Sequence, residues 1–492
     1  MSASENDFSR LKRRVALAAR TLGLGGGRPE DHPSALRGVA ALSGPIAAGL
    51  LGDAAMGLVD AKLVGSLGAS ALGGVGLGLT LMYLCYSTVF GLMRGVKVRT
   101  AFAAGRGAPE DGRRYALAGV GAGAALGVFV FALGRDLGWA FDLLGTGAAL
   151  REQGVAFFAA VSWGAPAVFV MSALVQHRQG LGDARTPMIV GIAGNIVNAI
   201  LAYALIHGHL GLPALGVRGA GLATALTQTL QAAALLVLLF RSRESRASTL
   251  TLEQALKEVS SLGIPTGLHF AAEMLAFTTF TAILGSLGEV QIAAHQVALA
   301  VIRASFLPGI AVGEAASVLV GQALGRRNLA AADRATRAAL TLAVAFMAGC
   351  ALVFAIFGRW IASGFTTDPQ VVRVATQLLW IAAIFQVLDA VNIVLRGALR
   401  GAKDVRMVAT LGITIVWTCV PTAAFVLGRL AGWGAVGGWC GFVAETLLAS
   451  VLFSLRWKRG DWRRGYEHEP EPAPPPEPVQ RDVAAGAIAS SS

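Results

Sequence analysis

The chain has 492 residues, of which 55% are hydrophobic and only 14% charged, with a mean hydropathy of +0.62. Soluble domains run at about 45–50% apolar and about 25% charged, so one globular core could not hide this composition, and lipid must supply part of the solvent. The net charge of +12 would suggest nucleic acid as the partner of a soluble protein. In a membrane protein, basic cytoplasmic loops account for it, and no nucleic-acid partner is expected. Cys85, Cys350, Cys419 and Cys440 lie far apart in apolar stretches and read as small hydrophobes, not as a disulfide or metal framework.

Residues 1–37 carry Arg10, Lys12, Arg13, Arg14 and Arg20, and Arg20 breaks the apolar run that starts at Val15. The segment therefore lacks a signal-peptide core and is expected to be a cytoplasmic N-terminal segment. A bilayer crossing needs about 20 apolar residues. Six such stretches are predicted at 42–64, 71–93, 115–133, 154–175, 187–206 and 219–240, within a first lobe of 38–240. Six more fall at 263–284, 293–320, 338–357, 374–395, 408–427 and 436–455, within a second lobe of 259–456. Residues 241–258 form a basic cytoplasmic linker, and the Pro-rich, acidic 457–492 is expected to be a disordered cytoplasmic tail. The expected class is an all-α membrane protein with twelve transmembrane helices. Of the 41 Lys and Arg residues, 33 cluster in 10–37, 94–114, 178–185, 241–257, 326–337, 396–406 and 456–481. All seven clusters fall on the side of the two termini, which the positive-inside rule makes cytoplasmic.

The halves repeat. At a shift of 220 residues Pro45 maps to Pro265, Gly65-Ser66-Leu67-Gly68 to Gly285-Ser286-Leu287-Gly288, and Gly105-Arg106 to Gly325-Arg326. At a shift of 221, Gly180, Asp183 and Arg185 map to Gly401, Asp404 and Arg406. Six spans per repeat return the chain to its starting side, so the lobes are parallel repeats about an axis along the membrane normal, with a cavity expected between them.

Ionisable groups in hydrocarbon are costly and mark function by default. Asp53 and Asp60 fall in span one, Glu273 in span seven and Asp389 in span ten; Asp53 and Glu273 are equivalent in the repeat, which predicts two acids at one depth facing one inter-lobe cavity. A desolvated carboxyl group can exchange a proton or pair with a cation, and competition between the two is the core of antiport. The bland alternative is hydrogen-bonded glue between helices. Arg303 and Glu314 stand eleven residues apart in span eight, roughly 16 Å along the axis, too far to pair with each other. Arg303 is expected to face an acid on another helix, and Glu445 in span twelve is equally open to a structural role. His269 lies one turn before Glu273 and reads either as a proton partner or as a satisfied core histidine. His177, His207 and His209 read as solvated residues at span ends. Asn195, Asn198 and Thr224 are polar at membrane depth, and the glycine runs lack a phosphate-loop Lys-Ser/Thr and suit close helix packing.

With these motifs in order, the sequence resembles the multidrug and toxic compound extrusion (MATE) family over about Leu36 to Leu455. The resemblance runs through Pro45 to Asp60, Val64 to Gly68, Gln179 to Asp183 and Gly219 to Thr224, then through Ala293 to Gln296, Val320 to Gly325 and Leu399 to Asp404. It implies two six-helix lobes in a V, a multi-pass monomer of the bacterial inner membrane, and export of cationic or amphipathic small molecules against protons or sodium ions, with no cofactor. By position, Asp60, Asn198 and Thr224 match the first-lobe coupling site, and Glu273 and Asp389 match the second-lobe cation site, where sodium is the possible metal. Two departures stand out: Ala202 replaces a common Asn, and Asp53 replaces an uncharged polar residue. The rivals are a lipid-linked-sugar flippase of the same superfamily, a major-facilitator transporter and a membrane-embedded enzyme. A flippase cavity should be lined by several Arg or Lys, whereas Arg303 alone reads as mid-span. An enzyme needs a catalytic constellation, and none is visible in the sequence.

Overall fold

The structure, a computed structural model, describes residues 32–134, 138–143, 147–241 and 248–463. Among these there is no strand. The first lobe holds α1 (His32–Gly65), α2 (Ala69–Arg106), α3 (Pro109–Gly134), the short α4 (Gly138–Leu143), α5 (Ala148–Ser162), α6 (Ala165–Gly180), α7 (Arg185–His207) and α8 (Val217–Arg241). The second holds α9 (Leu252–Gly285), α10 (Glu289–Gly325), α11 (Leu329–Ser363), α12 (Pro369–Gly401), α13 (Val405–Ala423), which continues as a π-helical stretch (Ala424–Leu430), and α14 (Gly434–Arg459). Eleven helical stretches are long and apolar enough to cross a membrane, and α5 with α6 makes a twelfth span bent by 54°. The span expected at 154–175 is thus built from two helices with a break between them. Gly164 and Pro166 sit at the joint, and proline cannot donate the backbone hydrogen bond that would carry α5 through.

The repeat is structural. The helices α1 and α9 are both 34 residues long, start 220 positions apart, and contain Pro45 and Pro265 respectively. Each ends in the same turn: Ser66 Oγ donates to Leu63 O and Ser286 Oγ to Ile283 O, both at 2.6 Å. Gly68 and Gly288 follow at φ 107° and 117°, a conformation that side chains disfavour. That accounts for the serine and the last glycine of the tetrapeptide in both halves.

The lobes meet where α2 crosses α9 and α10. A Cβ on Gly95 would stand 2.3 Å from Val259 O, and one on Gly105 would stand 2.1 Å from Gln322 O, so only glycine allows this backbone approach. Next to this seam, Val39, Leu42 and Phe102 of the first lobe share one buried cluster with Ala315, Val318 and Leu340 of the second.

The expected segment bounds need trimming. The helix α1 begins at His32, inside the N-terminal segment, and α9 begins at Leu252, inside the linker, behind a Thr251–Gln254 capping box. The tail is ordered at its start, because α14 runs to Arg459 and Trp462 is buried and stacks on Trp457 at 4.5 Å. Residues 1–31, 242–247 and 464–492, with most of the N-terminal basic cluster and the acidic tail, lie outside the described residues.

Candidate transport cavities

The first lobe encloses a cavity of about 510 Å³. Asp53 and Asp60 are seven residues apart on α1, two helical turns, and so line it from one face. Facing them, α7 offers Asn195 and Asn198: Asn195 Nδ2 donates to Asp53 Oδ1 at 3.1 Å, and Asn198 Nδ2 donates to both oxygens of Asp60 at 3.3 Å. Thr224 lines the same cavity, its hydroxyl spent on Ala220 O at 3.1 Å. Sequence reasoning overlooked its neighbours Thr227, Gln228 and Gln231. With Thr224 they form a polar stripe at i, i+3, i+4 and i+7 of α8, a periodicity that could have found them. Asn198 Oδ1, Thr227 Oγ1 and Gln228 Oε1 are buried without a hydrogen-bond partner. Among the described residues, no Lys or Arg lines this cavity.

The second cavity, about 280 Å³, is bounded by α2, α9, α10, α12, α13 and α14. Glu273 Oε1 accepts from Arg396 Nη1 at 3.0 Å, and Asp389 Oδ1 accepts from Asn392 Nδ2 at 3.0 Å. Glu445 faces the same space, as do Phe277 and Phe442, stacked at 5.6 Å. At the other end, Glu314 is held by Arg94 at 2.6 Å and by Lys97, both reaching across from α2 of the first lobe. Arg400 Nη2 donates to His269 Nδ1 at 3.4 Å, and its guanidinium lies 5.3 Å from the centre of the Phe270 ring.

Several expectations are corrected here. Asp53 and Glu273 line different chambers that adjoin at Tyr83: Asp53 the one within the first lobe, Glu273 the one between α2 and the second lobe. Arg303 meets no acid from another helix; it lines the second cavity, exposed and with no carboxylate within 4.0 Å among the described residues, while Glu314 pairs with α2. Arg303 is not the one basic residue on the cavity wall, since Arg94, Arg396 and Arg400 line the same cavity. They lie on helices of 38 and 33 residues, longer than a bilayer crossing, so residues of the basic clusters continue the helices and reach the cavity wall. His269 is buried with only half its hydrogen bonding met. Because Arg400 can only donate, Nδ1 accepts and Nε2 carries the proton in the neutral ring, yet Nε2 has no partner. His177 is buried against Thr100, and His207 contacts Ser66 Oγ at 2.9 Å, so neither is simply solvated.

The MatE family model matches residues 45–204 and 265–424, one copy in each half of the repeat. The chain is 35% identical over 434 residues to a probable multidrug resistance protein NorM of Burkholderia mallei, covering 85% of this chain and 91% of that protein. It is 30% identical over 319 residues to the multidrug resistance protein MdtK of Yersinia pseudotuberculosis, covering 62% and 69%. Its fold matches the eukaryotic MATE transporter AtDTX14 with a TM-score of 0.80 at 19% identity, over 89% of this chain and 98% of that one. An outward-facing multidrug resistance MATE transporter matches equally well, with a TM-score of 0.80 at 20% identity over 90% and 98%. With a duplicated family match, a relative of 35% identity along nearly its whole length and the two-lobed helical fold, the chain belongs to the MatE family of multidrug and toxic compound extrusion transporters and is a transporter, not an enzyme.

Proposed function

We propose that the protein is a monomeric antiporter of the bacterial inner membrane, with both termini cytoplasmic, that exports organic cations and amphipathic drugs in exchange for protons. The observation that carries the coupling is the first-lobe pair Asp60–Asn198, with Asp53–Asn195 beside it. A side-chain amide can donate to a carboxylate or accept from a carboxylic acid, so it suits both states of a group that loads and unloads a proton. Sodium coupling at Glu273 and Asp389 is less well supported, because the Arg396 guanidinium already takes the Glu273 oxygen that a cation would need. The aromatic walls of the second cavity supply the apolar surface that drug-sized ligands bury. The relatives' names support drugs as the cargo. The arginines of the second cavity favour the flippase reading more than the sequence suggested, but Arg396 and Arg94 are already matched by Glu273 and Glu314.

Inverted vesicles test the coupling. Uptake of a fluorescent organic cation should follow an imposed acid interior and stop when an ionophore collapses that gradient. Uptake driven only by a sodium gradient would overturn proton coupling.

A further inference from the structure

We infer that the floor of the second cavity is an anion subsite, so that the preferred cargo is an aromatic dipolar ion: its anionic group on Arg94 and Arg400, its cationic group towards Asp389 and Glu445. This rests on the reading of that cavity as the cargo cavity. The first support is a charge mismatch. Arg94, Lys97 and Arg400 gather with one carboxylate, Glu314, around a water-sized space at the cavity floor. Glu314 is bound by Arg94 and Lys97, which leaves Arg400 with no carboxylate within 4.0 Å among the described residues; its contacts are a histidine nitrogen and a phenylalanine ring. Arg400 is only 8% exposed and lines the open cavity above. A buried guanidinium with no carboxylate in contact is costly, and a ligand anion that supplied one would be held strongly. Arg303, also unmatched, faces the same space.

The second support lies at the opposite end. Asp389 is hydrogen-bonded only by the Asn392 amide, and Glu445 has no Lys or Arg within 4.0 Å among the described residues. On α12, Asp389, Arg396 and Arg400 follow at i, i+7 and i+11, a single face that runs from acid to base over roughly 16 Å. Arg396 in the middle is neutralised by Glu273, so the two ends differ in sign. The stacked Phe277 and Phe442 fit a flat aromatic body beside this face. A simple cation would satisfy the acidic end alone and leave the guanidinium of Arg400 uncompensated.

Two dyes isolate the anionic group: rhodamine 110, which carries a free carboxylate, and its methyl ester rhodamine 123, with the same xanthene cation. Binding of each to the purified full chain in detergent is followed by fluorescence anisotropy at pH 7.5. The wild type should bind the acid about tenfold more tightly than the ester, the effect of one charge-assisted contact. Arg400→Gln should bring the ratio near one, and Arg400→Lys, which keeps the charge, should retain part of the preference and guard against misfolding as the cause. Phe442→Ala should weaken both dyes. If the ester binds and responds to Phe442→Ala but the acid binds no better, the subsite is overturned and the cargo cavity stands. If neither dye binds, or Phe442→Ala changes neither, the cargo cavity falls and the subsite with it. A preference for the acid that persists in Arg400→Gln overturns the assignment to Arg400.

Discussion

The two lobes descend from one pattern but treat buried charge in opposite ways. In the first, Asp53 and Asp60 meet amides in a roomy cavity; in the second, the repeat partner of Asp53 is Glu273, tied to a guanidinium in a smaller one. The difference comes chiefly from one helix. Asp389, Arg396 and Arg400 on α12 stand where α6 has Val168, Val175 and Gln179, all of which line the first cavity. His269 and Gly412 make the same contrast. Their counterparts are Gly49 and Gly191, which leave open space where the second lobe holds an imidazole. One scaffold thus carries a chamber whose acids meet neutral amides and a chamber in which Glu273 meets a guanidinium group, the first proposed to exchange protons and the second to hold the cargo.

Breaking the first chamber should have the largest effect. Asp60→Asn is expected to abolish uphill export in inverted vesicles while the protein inserts normally; wild-type uptake by this variant would reduce Asp60 to helix glue. Next comes Glu273→Gln, which leaves Arg396 without its carboxylate. It should cost about 3 kcal/mol of stability, read as a lower melting temperature in detergent, and the double variant with Arg396→Gln should recover most of it. No recovery would mean that the pair does not act as a unit. Gly412→Ala places a Cβ 2.2 Å from His269 Nε2 and should destabilise by about 1–3 kcal/mol. Gly191→Ala, with nothing within 4 Å of its Cβ, should be neutral or slightly stabilising in the same melting assay. The smallest effect is expected for Asp53→Asn. Asn195 can hydrogen-bond an amide as well as a carboxylate, and Asp60 remains, so export should fall only about two- to threefold, on the scale of one weak hydrogen bond. Complete loss would make Asp53 a principal coupling group.

Span number, repeat and intramembrane acids were legible in the sequence because hydropathy, an identical tetrapeptide and the rarity of Asp and Glu in lipid are local signals. The partners of those acids were not. Arg94 and Arg396 read as members of basic clusters, and the positive-inside rule counts charge without saying what each one contacts. A helix of 38 residues is about 57 Å long against a hydrocarbon core of about 30 Å, so the sequence does not say which part of α2 lies in the membrane. The pairing of Lys97 with Glu314 joins positions 217 residues apart, which no spacing rule reaches. The division into two cavities was hidden for a similar reason: the repeat fixes that Asp53 and Glu273 share a depth, while their facing helices, α7 and α12, decide what each one sees.

The distance along the chain between Lys97 and its carboxylate also bears on biosynthesis. Residue 314 is translated 217 residues after residue 97, which at about 5–20 residues per second is roughly 10–40 s later. During that interval α2 of the nascent first lobe carries Arg94 and Lys97 without the carboxylate that pairs with both. Until α10 arrives water or lipid headgroups are the available partners for these two cations, and the contact between the lobes forms together with the pairing of α2 to Glu314.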